Sequence, residues 1–196
     1  MPRAPLAILA LALALSVAAC GSDEPEAPPS VPRATETVDD LPKLSRGFEE
    51  EISRVNGLTF GRPPGWKVTE KGIATLLRAP DELVVVSLAA DRTDEAVGAD
   101  PRELAVRTFQ VLEGYKGELD PSEPRAFKHP YDAYEVRGEG VAASTGVRQR
   151  LRVIVLRREG MAVVTAVIAE NLDEKAPYEV DQALETVRTL RTRPVG

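Results

Sequence analysis

The chain has 196 residues, 43% of them apolar and 29% charged, with a formal net charge of -6. That balance fits a soluble globular domain large enough to bury a core. An acid excess with dispersed Lys and Arg offers no surface for tracking phosphates, so nucleic acid is not an expected partner. A single cysteine excludes an internal disulfide framework.

Residues 1–19 read MPRAPLAILALALALSVAA. Arg3 gives a basic start, residues 5–19 are uncharged and mostly Leu and Ala, and small residues follow. This is the plan of a secretory signal peptide, and the run falls short of the ~20 apolar residues a spanning helix needs. Val17-Ala18-Ala19 is followed at once by Cys20 and Gly21. That sequence resembles the lipobox of bacterial lipoproteins. The resemblance implies that the Cys20 thiol takes a diacylglyceryl group and that cleavage leaves Cys20 as the first mature residue. The thiol would then be a thioether, neither catalytic nor redox-active. The other reading of the same residues is a plain signal peptide with an incidental cysteine. Two or more acyl chains anchor a protein stably where one does not. The expected location is therefore the extracytoplasmic face of a bacterial cell membrane, with the bilayer as a partner through acylated Cys20.

Residues 20–44 form a second region. Pro recurs at 25, 28, 29, 32 and 42, and acids at 23, 24, 26, 36, 39 and 40, with no aromatic residue. Such composition buries too little to offset ordering entropy, so it reads as a disordered tether. Its reach is ~75 Å if extended as polyproline II and ~30 Å as a coil. Its acids argue against an electrostatic grip on anionic lipid.

Residues 45–196 read as one domain. Asn56-Gly57 predicts a hairpin within residues 49–61, although FEEEISRV also suits a helical turn. Pro63-Pro64-Gly65 breaks the chain before Trp66, and strands are expected at 66–70, 73–78 and 82–90. Asp100, Pro101 and Glu103 mark a helix start, with Ala105, Phe109 and Leu112 on one face, Leu104 and Val111 beside them, and Gly114 and Gly117 as its end. Residues 120–130 form a connection with one short edge strand. Strands follow at 131–139, 147–158 and 160–169, the last two joined at Glu159-Gly160. Asn171 to Pro177 is a turn before a C-terminal helix with Val180, Ala183, Leu184, Val187 and Leu190 as its stripe. Leu83–Leu88, Val153–Leu156 and Ala162–Ala169 are apolar with little alternation, as in strands covered on both faces. Short turns make consecutive strands antiparallel. The expected fold is therefore α+β, an antiparallel sheet with helices on both faces, a three-layer α/β/α sandwich.

Phe60, then Pro64-Gly65-Trp66, a meander, a helix, a second meander and a C-terminal helix resemble the PsbP-like superfamily over residues 50–192. With the lipobox and acidic tether, the chain is similar to actinobacterial lipoproteins of the Lpq type, and its Ala-, Arg- and Val-rich composition leans the same way. The resemblance implies binding or assisting roles rather than a reaction.

The remaining signals for chemistry are sparse. His129, the one histidine, lies in a loop or strand edge without a G-x-S-x-G motif, and a zinc site lacks ligands. Asp91, Asp94 and Glu95 form an acidic loop able to bind Ca²⁺ weakly but without EF-hand spacing; a solvated helix approach is the plainer reading. Glu49-Glu50-Glu51 reads as a solvated acidic run. Gly138, Gly140 and Gly146 are placed in a β-turn region and cradle no phosphate. Arg148, Arg150 and Arg152 alternate along one strand and share a face, with Arg157 and Arg158 beyond. They form either a cationic stripe for an anionic headgroup or acidic partner, or cross-strand pairs with Glu135 and Glu139. Trp66 is a candidate ligand contact or, more simply, a turn anchor.

No catalytic residue, metal or cofactor is expected, and the chain is read as a non-enzyme. Its expected role is a binding or accessory module for an envelope protein or lipid. One alternative is a lipid or glycolipid carrier with a helix–sheet cavity lined by Phe109, Leu112, Val164 and Ile168. Another is a hydrolase using a carboxylate pair.

Overall fold

The computed structural model describes residues 43–192. The signal peptide, Cys20 and nearly all of the tether lie outside the described residues.

The elements run β1 (Glu49–Ile52), β2 (Leu58–Arg62), β3 (Lys67–Lys71), β4 (Ala74–Arg78), β5 (Val84–Asp91), α1 (Asp94–Gly98), α2 (Pro101–Gln110), β6 (Arg125–Ala126), β7 (Asp132–Val141), β8 (Arg148–Arg158), β9 (Ala162–Asn171), α3 (Pro177–Arg188) and β10 (Arg191–Thr192). A seven-stranded sheet has the order β3-β4-β5-β9-β8-β7-β6, and a three-stranded sheet has the order β1-β2-β10. Every pairing is antiparallel. The α+β class and the meander–helix–meander–helix order follow the sequence.

Strand β8 divides the interior. Leu151, Val153 and Val155 join Val136 and Val163 beneath Ala105 and Phe109 of α2. Ile154 and Leu156 point the other way, into a core with Val86, Val164 and Ile168, to which α3 contributes Val180, Ala183 and Val187, and β2 contributes Leu58 and Phe60. Period-two alternation in a strand covered on both sides produces this split. Each fully buried Val, Leu, Ile or Phe is worth roughly 1.5–3 kcal/mol.

Helix α2 begins where expected: the Asp100 carboxylate accepts the Arg102 N–H at 2.8 Å, and Pro101 takes the first turn. It stops at Gln110, before Gly114, which leaves Val111 55% exposed rather than beside the buried stripe. Two elements were not foreseen. One is α1, a single turn capped by Thr93, whose Oγ1 accepts the Ala96 N–H. The other is β10, two residues that pair with Thr59 and Leu58.

The smaller sheet is fixed to the larger by a buried polar seam. Asn56 Nδ2 donates to Thr75 Oγ1 at 3.2 Å and to the Leu88 carbonyl at 3.1 Å, and Asn56 Oδ1 accepts the Leu58 N–H. Thr75 in turn donates to Ser53 Oγ at 2.7 Å. Residues 49–52 are a strand, not a helical turn.

Gly138 and Gly140 belong to β7, not to a turn, and correct the earlier placement; Gly146 does lie in the turn between β7 and β8, with φ 72°. The correction has a packing cause. A Cβ at Gly138 would lie 2.5 Å from Phe109 Cζ and 2.7 Å from the Asp120 carbonyl oxygen, and one at Gly140 would lie 2.8 Å from Tyr115. Both glycines let the α2 layer approach the strand backbone. Gly138→Ala is expected to destabilise the domain by about 1–3 kcal/mol through overpacking. Gly98→Ala, where a Cβ meets nothing within 4 Å, is expected to stay within ~0.5 kcal/mol of the parent. Urea unfolding of both variants checks the contrast.

Candidate functional site

Along β8 the even positions that carry Ile154 and Leu156 become Arg152, Arg150 and Arg148 toward the strand start. The three arginines share a face, as the alternation requires, and the register supplies their partners. Arg152 Nη1 lies 3.4 Å from Glu135, which also accepts from Arg137 Nη2 at 2.6 Å. Arg150 lies between Glu139 at 3.7 Å and Glu170 at 3.4 Å. Arg148 reaches Asp173 at 3.6 Å. Glu139 and Glu170 stand directly opposite Arg150 on the two flanking strands.

This ladder is graded in burial. The side chains of Glu135 and Arg152 are 6% and 14% exposed, whereas Arg148 is 64% exposed. The inner end is a buried ion triad in which one carboxylate serves two guanidinium groups. Its hydrogen bond to Glu135 holds the Arg137 guanidinium above its ordinary range. The outer end is solvated, where ion pairs contribute little. The cross-strand alternative for the arginine stripe is thus the arrangement present, and the face is close to balanced in charge. Arg157 pairs with Asp132 at 2.8 Å and donates to the Ala99 carbonyl, tying β8 to the start of α2. Arg158 donates to Thr192 of β10.

Trp66 is 2% exposed, and its Nε1–H donates to Gln182 Oε1 at 3.0 Å. Its one polar group is spent on α3 and its ring lies in the core, so a direct ligand contact has no open surface there. His129 is an internal clip rather than an exposed loop residue. Its Nδ1 accepts the Tyr131 N–H at 3.0 Å, so Nε2 carries the proton and donates to the Leu190 carbonyl at 3.2 Å. Burial pushes this histidine down to about 4, with the Leu190 carbonyl pulling weakly the other way.

Asp91 accepts from the Thr93 N–H and hydroxyl, both at 2.8 Å, and Asp94 and Glu95 lie in the first turn of α1. The acidic loop is a helix approach. Among the described residues no three His, Cys, Asp or Glu side chains gather as a metal site. Glu49, Glu50 and Glu51 pair with Arg62 and Arg191 and are not simply solvated.

The four residues assigned to one helix–sheet cavity do not share a gap. Phe109 and Leu112 lie in the α2 core, while Val164 and Ile168 lie in the α3 core on the opposite side of the sheet. A shallow groove of about 410 Å³ does open on the outer side of α2, lined by Arg102, Glu103, Val106, Arg107, Gln110 and Pro124.

Sequence reasoning offered Glu135 as a partner of the arginine stripe but missed Arg137 as its second cation, and missed Asn56 as an inward-facing residue. Arg137 had a signal: it stands two residues from Glu135, on the same strand face.

Neither a protein-family model nor a curated protein matches the sequence. Solved structures show the fold. The Ran-binding protein Mog1p of Saccharomyces cerevisiae matches with TM-score 0.53 at 13% identity, over 76% of this chain and 96% of that one. A protein of Bacteroides thetaiotaomicron matches with TM-score 0.52 at 14% identity, over 76% of this chain; the match spans about half (49%) of that longer chain. LpqN of Mycobacterium tuberculosis, described as involved in cell envelope biogenesis, gives TM-score 0.44 at 13% identity, over 72% of this chain and 87% of that one. The first two show that the domain shares its fold with Mog1p, and the α+β class expected from the sequence fits that fold.

Two predictions follow from this geometry. The unfolded chain binds a proton at His129 below about pH 6.5, whereas the native state refuses it until about pH 4. Stability therefore falls with pH in that window, by about 2 kcal/mol between pH 7.5 and pH 5. Urea titrations at the two pH values should show this difference, and His129→Gln should remove most of it. Glu135→Gln leaves two arginines short of a buried carboxylate and is expected to cost on the order of 3 kcal/mol, whereas Arg148→Ala should cost less than about 1 kcal/mol. A ranking reversed in thermal unfolding would refute the graded ladder.

Proposed function

We propose that the chain is a lipoprotein held on the extracytoplasmic face of a bacterial membrane through acylated Cys20. Its domain, a three-layer α/β/α sandwich, serves as a non-catalytic binding or accessory module for envelope components. The observation that carries this reading is the run Val17-Ala18-Ala19-Cys20 at the end of a charged-then-apolar leader, followed by a Pro-rich acidic segment. Among the described residues no helix is long and apolar enough to cross a membrane, which leaves the acyl group as the anchor in this reading.

The domain's own chemistry supports an accessory role. The histidine is spent on backbone groups, and Glu139 and Glu170 are both engaged by Arg150. Tyr115 donates to Gln149 and is pushed up to about 12 by burial, far from the range of a nucleophile at neutral pH. Mog1p, which shares this fold, is a Ran-binding protein; by fold analogy, a protein of the envelope is the favoured partner here. The carrier alternative loses the cavity on which it stood.

Intact-mass analysis of the mature chain expressed in an actinobacterial host tests the anchor. The expected product begins at Cys20 with a diacylglyceryl mass, and Cys20→Ser should abolish both the mass and membrane fractionation. A mature chain with a free Cys20 thiol overturns the reading.

A further inference from the structure

Strands β3 and β4 set two cations face to face. Lys67 is the direct cross-strand partner of Arg78, so the two side chains leave the sheet on one face. That face is turned away from the α3 core, because Val68 and Leu77, the adjacent pair, pack into that core. Like charges placed directly opposite cost stability. The register also gives the same-face neighbours. Val85 stands on the other side of Arg78, and Thr69, Leu76 and Ser87 form the adjoining row. None of them is acidic. The helices of this face lie elsewhere, α1 on β9 and α2 on β7 and β8.

Arg78 differs from the other arginines that lack an ion pair among the described residues. Arg46, Arg54, Arg102, Arg107 and Arg125 are exposed, and water serves them. Arg92 donates to the Asn56 carbonyl at 3.3 Å. Arg78 is partly buried, has no hydrogen bond or ion pair among the described residues, and its Nε is buried without an acceptor. The Nε atoms of Arg62 and Arg191 also lack a hydrogen bond, but both guanidinium groups meet carboxylates. The acids near Arg78 are turned elsewhere. Glu70 lies on the opposite face of β3, where it accepts the Arg54 N–H at 2.6 Å. Asp81, in the turn between β4 and β5, accepts the Leu83 N–H at 3.0 Å. Neither it nor Glu82 forms an ion pair with Lys67 or Arg78 among the described residues. These acids keep their charge and weaken any long-range pull on anions. Contact geometry singles the place out: two opposed cations, one of them short of acceptors, with no carboxylate between them.

We propose that Lys67, Arg78 and the Thr69 hydroxyl bind a phosphate group, free or esterified. A guanidinium presents a planar fork of donors to phosphate oxygens, and an ammonium presents a point charge. Lys67 and Thr69, two residues apart on β3, are separated by about 6.7 Å. Arg78 faces Lys67 with its Cβ about 5 Å away. One tetrahedral anion above the strand pair is therefore within reach of all three side chains. It supplies the acceptor that Arg78 Nε lacks and converts the repulsion of the two cations into shared attraction. A phosphate monoester carries close to two negative charges at neutral pH and matches the two cations, where a single carboxylate matches one. The site is separate from the Cys20 anchor and does not depend on it.

The experiment uses the mature chain with Cys20→Ser, which carries no acyl group, labelled with nitrogen-15. Inorganic phosphate is titrated against chloride at constant ionic strength and about pH 7.5, and amide shifts are followed. The expected result is a saturating shift confined to β3 and β4 around Lys67, Thr69 and Arg78. Glycerol phosphate is titrated in the same way; the anion that saturates at the lower concentration identifies the source as free or esterified phosphate. Lys67→Glu supplies the missing carboxylate from within the fold and should weaken binding at least ~10-fold, the loss of one charge-assisted hydrogen bond. Lys116→Glu makes the same charge change at an exposed loop position and should bind like the parent. No saturating shift with either anion, shifts that chloride alone reproduces, a Lys67→Glu chain that binds like the parent, or equal losses in Lys67→Glu and Lys116→Glu would each overturn the proposal. Because the acyl group is absent throughout, such a failure leaves the Cys20 anchor to its own test.

Discussion

The pleat of β8 is the constraint on which the rest of the domain depends. Its odd positions supply the α2 core, and its even positions supply the α3 core and then the arginine ladder. A slip of one residue would send Leu151, Val153 and Val155 to the other face and turn Arg150 and Arg152 beneath α2. Register is therefore overdetermined. The apolar pattern fixes it over Val153–Leu156, and the ion pairs with Glu135, Glu139 and Glu170 fix it again toward the strand start. The buried triad is weak evidence for stability, because desolvation offsets much of its attraction. It does penalise every alternative register, in which a buried carboxylate or guanidinium would be left alone.

The neighbouring layers conform to that strand. Gly138 and Gly140 sit opposite Leu151 and Gln149, where a side chain would collide with Phe109 and Tyr115. The glycines weaken β7 locally and in exchange admit two aromatic rings to the surface of the sheet. On the other face the small sheet cannot continue the large one, so it is stitched to it by side chains. Asn56 spans β2, β4 and β5, and the Thr189 hydroxyl accepts the Gly61 N–H at 2.8 Å. Ser45 donates to Glu185, which lowers that carboxyl, and so fixes the start of the described chain against α3. These polar joints carry the orientation of the small sheet, while the core beneath supplies most of the attraction.

Local signals explain what was legible in the sequence. Asn56-Gly57, Asp100-Pro101 and Pro63-Pro64-Gly65 each constrain a few neighbouring dihedrals, and the elements that follow them began within one or two residues of expectation. The uninterrupted apolar runs revealed strands buried on both faces. What was not legible depends on distant partners. Strand β10 is two residues long and exists only because β2 offers it an edge. The role of His129 is set by Leu190, which no window of neighbouring residues reveals, whereas Glu135 was already offered as a partner of the arginines and only its second cation, Arg137, two residues along the same strand face, went unread. Gly138 and Gly140 read as turn residues because glycine usually marks turns. The rings that require the absence of a side chain come from much earlier in the sequence, Phe109 on α2 for Gly138 and Tyr115, beyond the end of α2, for Gly140.

The charge distribution gives the clearest guide to where such a domain could meet a partner. The acidic chain gains nothing from general attraction to anionic lipid, and its Pro-rich segment repels it. The sheet face with the most arginines is the face where charge is most fully cancelled, so cation number alone is a poor index of a binding surface. What matters is whether each cation already has a partner in the fold. By that measure the β7–β8 face is structural toward its centre and polar but balanced toward its rim, where Arg148, Glu139 and Asp173 stay accessible. A partner meeting that rim would exchange existing ion pairs for new ones. Such exchange favours specificity over affinity, which suits the accessory role proposed above.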